Sequence, residues 1–337
     1  MQNILTLILF SLICIFKINA QDIHFSQFNA SPLNLNPALA GDFDGEHRIT
    51  ANHRNQWSSI TVPYKTYALS YDIKLSKTPV KNSFAGIGLQ LNTDKAGDGD
   101  FGTTQIKLTP AFHKIITADT SLIVSIGFNV TYNQNSVNFD AFYFGNQYSG
   151  GRFNSSIPHN EVFSDNSFSY FDFAFGTKIL YYANGIPVNL GIALTHLNKP
   201  QQSFYNNELI ELNRKFNIHA NSLIPINNSL NAIPSIAYFR QGKFQELNIG
   251  GLLQKALDDY NFRNIYFGGW VRTSDAGILK FGFDYQDVNI GISYDVNFSK
   301  LRIASEGRGG IELSFIYIVK DTKQYKVPYH RQCPVFM

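Results

Sequence analysis

The chain has 337 residues, of which 16% are charged, well below the ~25% of ordinary soluble proteins, and 15% are aromatic, with 29 Phe and 18 Tyr. A formal net charge of +3 is too small to point to nucleic acid. After residue 20 there is no run of ~18 apolar residues, which excludes a helical membrane protein and leaves a β protein with one apolar face.

Residues 1–20, MQNILTLILFSLICIFKINA, read as a secretory signal peptide. Its apolar core runs from Ile4 to Phe16 and is followed by the small residue Ala20, after which cleavage is expected. The core is short for a membrane anchor, and Ile13 is too large for the small-residue position before a lipoprotein Cys14. Cleavage leaves Cys333 as the one cysteine, so no intramolecular disulfide is expected.

Residues 21–46 form a leader. Its centre, FSQFNASPLNLNPALAG (25–41), fits neither a long helix nor a strand, because Pro32 and Pro37 interrupt both. Phe25, Phe28, Leu33, Leu35 and Leu39 are spaced among asparagines, giving a polar, kinked and partly apolar segment. It is expected to start on the periplasmic side and to serve as a lumenal plug or a docking strap.

From residue 47 the dominant signal is alternation with period 2, the signature of strands with two unlike faces. In KTYALSYDIKL (65–75), Tyr67, Leu69, Tyr71, Ile73 and Leu75 alternate with Thr66, Ala68, Ser70, Asp72 and Lys74. In 121–133, Leu122, Val124, Ile126, Phe128, Val130 and Tyr132 face one way and Ser125, Gly127, Asn129, Thr131 and Asn133 the other. The pattern recurs in about fourteen segments of ~10 residues, the length a tilted transmembrane strand needs. Their expected centres are 51, 70, 88, 107, 127, 176, 191, 219, 235, 249, 268, 281, 293 and 313.

A soluble sandwich would bury the apolar face, whereas a membrane barrel would turn it to lipid and its polar face to the lumen. Strand length and a polar face of Gly, Ser, Asn and Thr favour the barrel. So do tyrosines placed as interfacial girdles: Tyr64, Tyr67, Tyr181, Tyr182, Tyr260 and Tyr266. The expected fold is therefore all-β, a transmembrane antiparallel barrel over 47–319, with an extended N-terminal leader and a C-terminal tail, 320–337. Short links at 76–82, 183–187 and 273–277 contrast with long ones at 134–168 and 198–213, which are candidate contact loops on the outside.

Catalytic, metal and cofactor signatures are missing. The eight histidines make no H-x-x-x-H or HExxH pair. There is no G-x-S-x-G elbow and no P-loop, and the aspartates of DKAGDGD (94–100) lack EF-hand spacing. No catalytic residue, metal site or cofactor is expected. A lipid hydrolase would need Ser and His side by side on the outer wall, which the alternation does not provide. His219, between Asn217 and Asn221, is read as a lumenal histidine, and the Gly-x-Gly runs as lumen-facing strand glycines.

The motifs resemble the PorP/SprF family of outer-membrane proteins tied to the type IX secretion system of Bacteroidota. They are QDIHFSQF (21–28), NPALAG (36–41), RNQW (54–57), DKAG (94–97), PAFHKII (110–116), YFDFAFG (170–176), IPSIAY (233–238), YDVNFSKLRIASEGRGGIELSFIY (294–317) and RQCPVF (331–336). Where the family usually carries His-Glu after the last loop glycine, this chain reads Gly309-Gly310-Ile311-Glu312. The resemblance implies an outer-membrane barrel without enzymatic chemistry. Such a barrel helps export or anchor a specific secreted surface protein with a type IX export signal, gliding adhesins included. Its implied partners are that cargo, the periplasmic or outer-membrane secretion machinery, and the lipid bilayer. The positions expected to contact a partner are Phe25, Phe28, Asn36 and Pro37 in the leader, Arg54 and Trp57 in RNQW, Glu312, and Cys333, Pro334 and Phe336 in the tail. The alternative is a porin or FadL-like channel for small or hydrophobic solutes.

Overall fold

The computed structural model describes residues 22–58, 62–149, 151–154, 156–158, 160, 165–204, 210–299 and 302–320. The expected signal peptide and the tail positions Cys333, Pro334 and Phe336 lie outside these residues.

Fourteen staves follow one another in an antiparallel meander. They are β1 (His47–Gln56), β2 (Tyr64–Leu75), β3 (Ser83–Ala96), β4 (Phe101–Ile115), β5 (Leu122–Ser136), β6 (Ser167–Ala183) and β7 (Ile186–Thr195). Next come β8 (Lys215–Ser222, continued by Ile224–Asn227), β9 (Leu230–Gln241), β10 (Phe244–Ala256), β11 (Phe262–Arg272), β12 (Ala276–Tyr285), β13 (Val288–Asn297) and β14 (Arg308–Val319). The sheet closes where β1 pairs β14, from His47↔Val319 to Gln56↔Gly310. Closure leaves no unpaired strand edge, as a hydrocarbon surrounding demands. Each of the fourteen expected centres falls inside one stave, in order.

β8 is interrupted for a local reason. Its register on β9 is continuous across the gap, from Asn221↔Ser235 to Ile224↔Ala232, which sets Pro234 opposite Ser222. Proline has no N–H to give the ladder, so the bridge lapses there and resumes. Pro234 also faces Gly251, which faces Gly269, so the outer wall is thin at this point.

The apolar face of the alternation points outward. Leu69, Leu89, Leu91, Ile106, Leu108, Ile126, Phe171, Phe175, Leu190, Leu279 and Leu313 are all exposed on the wall. Burying such residues is the ordinary rule in water, so a belt of this extent marks a lipid contact. Tyr67 and Tyr181 lie on the outside, as a girdle requires, and Tyr260 is exposed in the turn after β10, whereas Tyr64 and Tyr182 have the inward parity of their strands and are exposed at the barrel rims. Tyr266 departs from that expectation: it points inward, and its hydroxyl donates to Asp284 Oδ2 at 2.7 Å.

The long connections 137–166, 196–214 and 298–307 all leave the same rim, which is therefore the outer one. Phe204 from the second packs on Phe101, on Phe139 from the first, and on Phe168. With the core of an ordinary domain turned outside in, the interior polar face needs a different filling, and residues 22–46 supply it.

Candidate functional site

The leader crosses the lumen from the outer rim to the inner one. Asp22 lies 3.3 Å from Lys215 at the outer end of β8, and the chain enters β1 from the inner rim. The expectation of a periplasmic start is thus not met, because the carboxylate of Asp22 is drawn to the outer-rim cations. Within the strap are three short turns, Phe28–Ala30, Pro32–Leu35 and Pro37–Leu39. Pro32 and Pro37 stand at the first positions of their turns, where a missing N–H costs nothing.

Near the outer rim the leader completes a lattice of buried charges. Glu312 accepts the backbone N–H groups of Ser26, at 2.7 Å, and Gln27, at 2.9 Å. Asp295 Oδ2 accepts from the Ser26 hydroxyl at 2.7 Å and from Arg54 at 2.9 Å. Arg272 donates to Ser26 Oγ at 2.7 Å, and Arg54 donates to the His24 carbonyl at 2.7 Å. Arg54 and Glu312 are each 1% exposed, and a buried ion left without such partners is strongly destabilising. The leader answers with neutral groups, two N–H, one hydroxyl and one carbonyl, which water can replace.

At mid-depth Asn36 is fully buried. Its Nδ2 donates to the carbonyls of Thr177, at 3.0 Å, and Ile192, at 3.3 Å, and lies 3.1 Å from His219 Nε2; its Oδ1 accepts from Ala38 N at 2.9 Å. His219 is lumenal, as its position in the alternation predicts. Gly127 of β5 lets Pro37 lie against the wall, since a Cβ there would stand 2.3 Å from the Pro37 carbonyl carbon. Phe28 packs edge-on against Trp270, with centroids 5.6 Å apart, in a cluster with Leu35, Ala237 and Ile278. Leu33 and Ala40 meet Ala111 on the opposite side.

Toward the inner rim Arg48 grips Asp72 through two hydrogen bonds, of 2.9 and 2.7 Å, and donates to the Leu39 carbonyl. Asp72 also accepts from Gly41 N, and Lys178 pairs with Asp42. His113 Nε2 donates to the Ala40 carbonyl at 2.8 Å, while Nδ1 accepts from the Ser125 hydroxyl at 2.7 Å. A Cβ on Gly86 would sit 2.0 Å from the Ala40 oxygen, so glycine alone fits.

One residue past the outer end of β7, His196 donates from Nδ1 to Asp172 of β6 at 2.8 Å and has Asp22 3.6 Å from Nε2. Burial alone would discharge this imidazole, but the two carboxylates outweigh it and raise its pKa to about 9. Burial likewise opposes the charge of Asp22, and Lys215 and His196 hold its pKa well below the usual carboxylate range.

Of the positions singled out in the sequence, Phe25, Phe28, Asn36, Pro37, Arg54 and Glu312 are all buried inside the barrel, Arg54 and Glu312 in the outer lattice and Asn36 and Pro37 at mid-depth. Trp57 sits apart at the outer rim with φ of 57°, edge-on to Tyr64, lining a cavity of about 440 Å³ with Arg272, Asp275 and Asn297. Sequence reasoning missed Arg48, Asp72, Trp270, Arg272 and Asp295. The alternation places each on the inward face, a signal that their charge or size alone did not convey. Among the described residues no His, Cys, Asp and Glu group could hold a metal ion.

A closed, lipid-belted barrel whose lumen is filled by its own N-terminal segment defines a β-barrel protein of the outer membrane. A solved structure shares this fold. The Ralstonia pickettii toluene transporter TbuX superposes with a TM-score of 0.51 at 9% identity, over 89% of this chain and 96% of that one. A Pseudomonas aeruginosa FadL homologue gives 0.47 at 10% identity, over 84% and 92%. At such identity the likeness concerns the fold alone. Among curated proteins no sequence matches the chain. The family description "Type IX secretion system membrane protein PorP/SprF" matches residues 17–317, and the chain belongs to that family.

Proposed function

We propose that this barrel helps export, or anchors at the cell surface, one specific secreted protein carrying a type IX export signal. Family membership supports the link to type IX secretion. The observation that carries the rest is the occupied lumen: a strap held by buried polar contacts over the whole depth of the barrel suits a platform better than an open pore. The outer connections 134–168 and 198–213 would meet the cargo, with exposed Phe142, Tyr143, Tyr148 and Phe153 as apolar contacts. The tail 320–337, which follows the inner end of β14, would meet the periplasmic machinery.

The alternative, a channel for small or hydrophobic solutes, has the barrel fold in its favour but requires the leader to move aside. Deleting the gene and comparing surface proteomes separates the two. Loss of one large secreted protein, with other cargo retained, is expected; an unchanged surface proteome overturns the proposal.

A further inference from the structure

We infer that the outer wall carries a site for the phosphate of an outer-leaflet glycolipid, formed by Lys65 of β2 and Lys95 of β3. The two are direct cross-strand partners, and both are exposed. Among the described residues they are the one directly opposed pair of like charge in the sheets. Like charges so placed, with Cβ atoms about 5 Å apart, destabilise a sheet unless an anion bridges them. Their other cross-strand neighbours, Asn55 and Gly102, are neutral. No ion pair within the described residues involves either lysine. At the inner rim, by contrast, the outward Arg263 has Asp287 at 3.3 Å.

Depth identifies the anion. The row Leu69–Leu91–Ile106–Tyr132–Phe171 is exposed and apolar, and two residues further along comes the row Tyr67–Thr93–Thr104–Gln134–Ser169. Lys65 and Lys95 stand one row beyond, about 7 Å past the polar row, at the level of headgroups rather than of bulk water. A cavity of about 260 Å³ opens beside them, lined also by Val62, Pro63, Tyr67, Thr93 and the carboxylate-bearing Asp100. It offers an apolar floor for an acyl-chain root beneath two ammonium groups. Two ammonium groups converging on one phosphate make charge-assisted hydrogen bonds that a neutral headgroup cannot. The site is independent of the leader and of the proposed cargo role.

Native mass spectrometry of the purified full chain in detergent tests this, with diphosphoryl lipid A, its dephosphorylated form and inorganic phosphate as probes. The wild type is expected to retain diphosphoryl lipid A about tenfold better than the dephosphorylated form, and an equal concentration of inorganic phosphate is not expected to displace it. Lys65→Gln/Lys95→Gln should remove the preference. Lys65→Glu should also lose it while the barrel stays folded, because that change turns the like pair into an ion pair. Equal retention of the two lipids, displacement by inorganic phosphate, or unchanged preference in either variant overturns the inference.

Discussion

Glu312 Oε2 accepts the backbone N–H of Ser26 at 2.7 Å, joining residues 286 positions apart in the chain. Through this bond and its neighbour on Gln27, the last strand holds the segment that precedes the first. Replacing Glu312 by Ala leaves two buried N–H groups without an acceptor, at about 1–3 kcal/mol each. Hydrogen–deuterium exchange at residues 25–28 is expected to accelerate at least about thirtyfold, since 2 kcal/mol corresponds to roughly that factor. Exchange unchanged from wild type would mean that Glu312 does not hold the leader.

Phe28 and Trp270 form the apolar contact at the same end of the strap. Phe28→Ala removes a buried ring and leaves a cavity, a change that typically costs about 3–5 kcal/mol. The chain's two tryptophans are Trp57 and Trp270, so Trp57→Phe isolates the reporter. In that background Phe28→Ala should shift Trp270 emission to the red as water reaches the ring. An unshifted spectrum would show the indole still covered.

Gly127 tests the fit between wall and strap from the other side. A Cβ there meets the Pro37 and Ala38 backbone at 2.3–2.4 Å, and backbone cannot swing away as a side chain can. Gly127→Ala is expected to loosen the leader at 36–40 while strand amides stay protected. Gly145→Ala, with nothing within 4 Å of its Cβ, should leave both unchanged. Equal protection at 36–40 in the two variants would contradict the close approach.

His196 makes the outer end of the strap sensitive to pH. Its pKa rises from an ordinary 6.5 to about 9, so its contribution is complete below about 6.5 and is lost as pH rises through about 9. Detachment of the segment at Asp22, read by exchange at residues 22–25 after correction for intrinsic rates, should follow a step near pH 9. His196→Gln should abolish that step; its persistence would assign the transition to another group.

All fourteen strands were legible in the sequence because a barrel wall with lipid on one side and a polar interior on the other writes period 2 into every strand. Ile126, Phe128 and Val130 against Ser125, Gly127 and Asn129 already say which way each side chain points. The leader was legible as a kinked, apolar-dotted strap, but its direction was not, because that depends on Asp22 meeting Lys215, 193 residues away. The same holds for Arg54 and Asp295, brought together only by closure of the sheet. Tyr266 was read as a girdle residue from its type; its inward parity and Asp284 explain why it is not.

The central claim is that the leader closes the barrel, and single-channel recording in planar bilayers tests it most directly. The full mature chain should be silent. The same chain lacking residues 22–41 should open steadily, because the charged lattice left behind, with Arg54, Arg272, Asp295 and Glu312 freed of the strap, is a surface that water wets. A full-length chain that conducts as the truncated one does, or a folded truncated barrel that stays silent, would contradict the account.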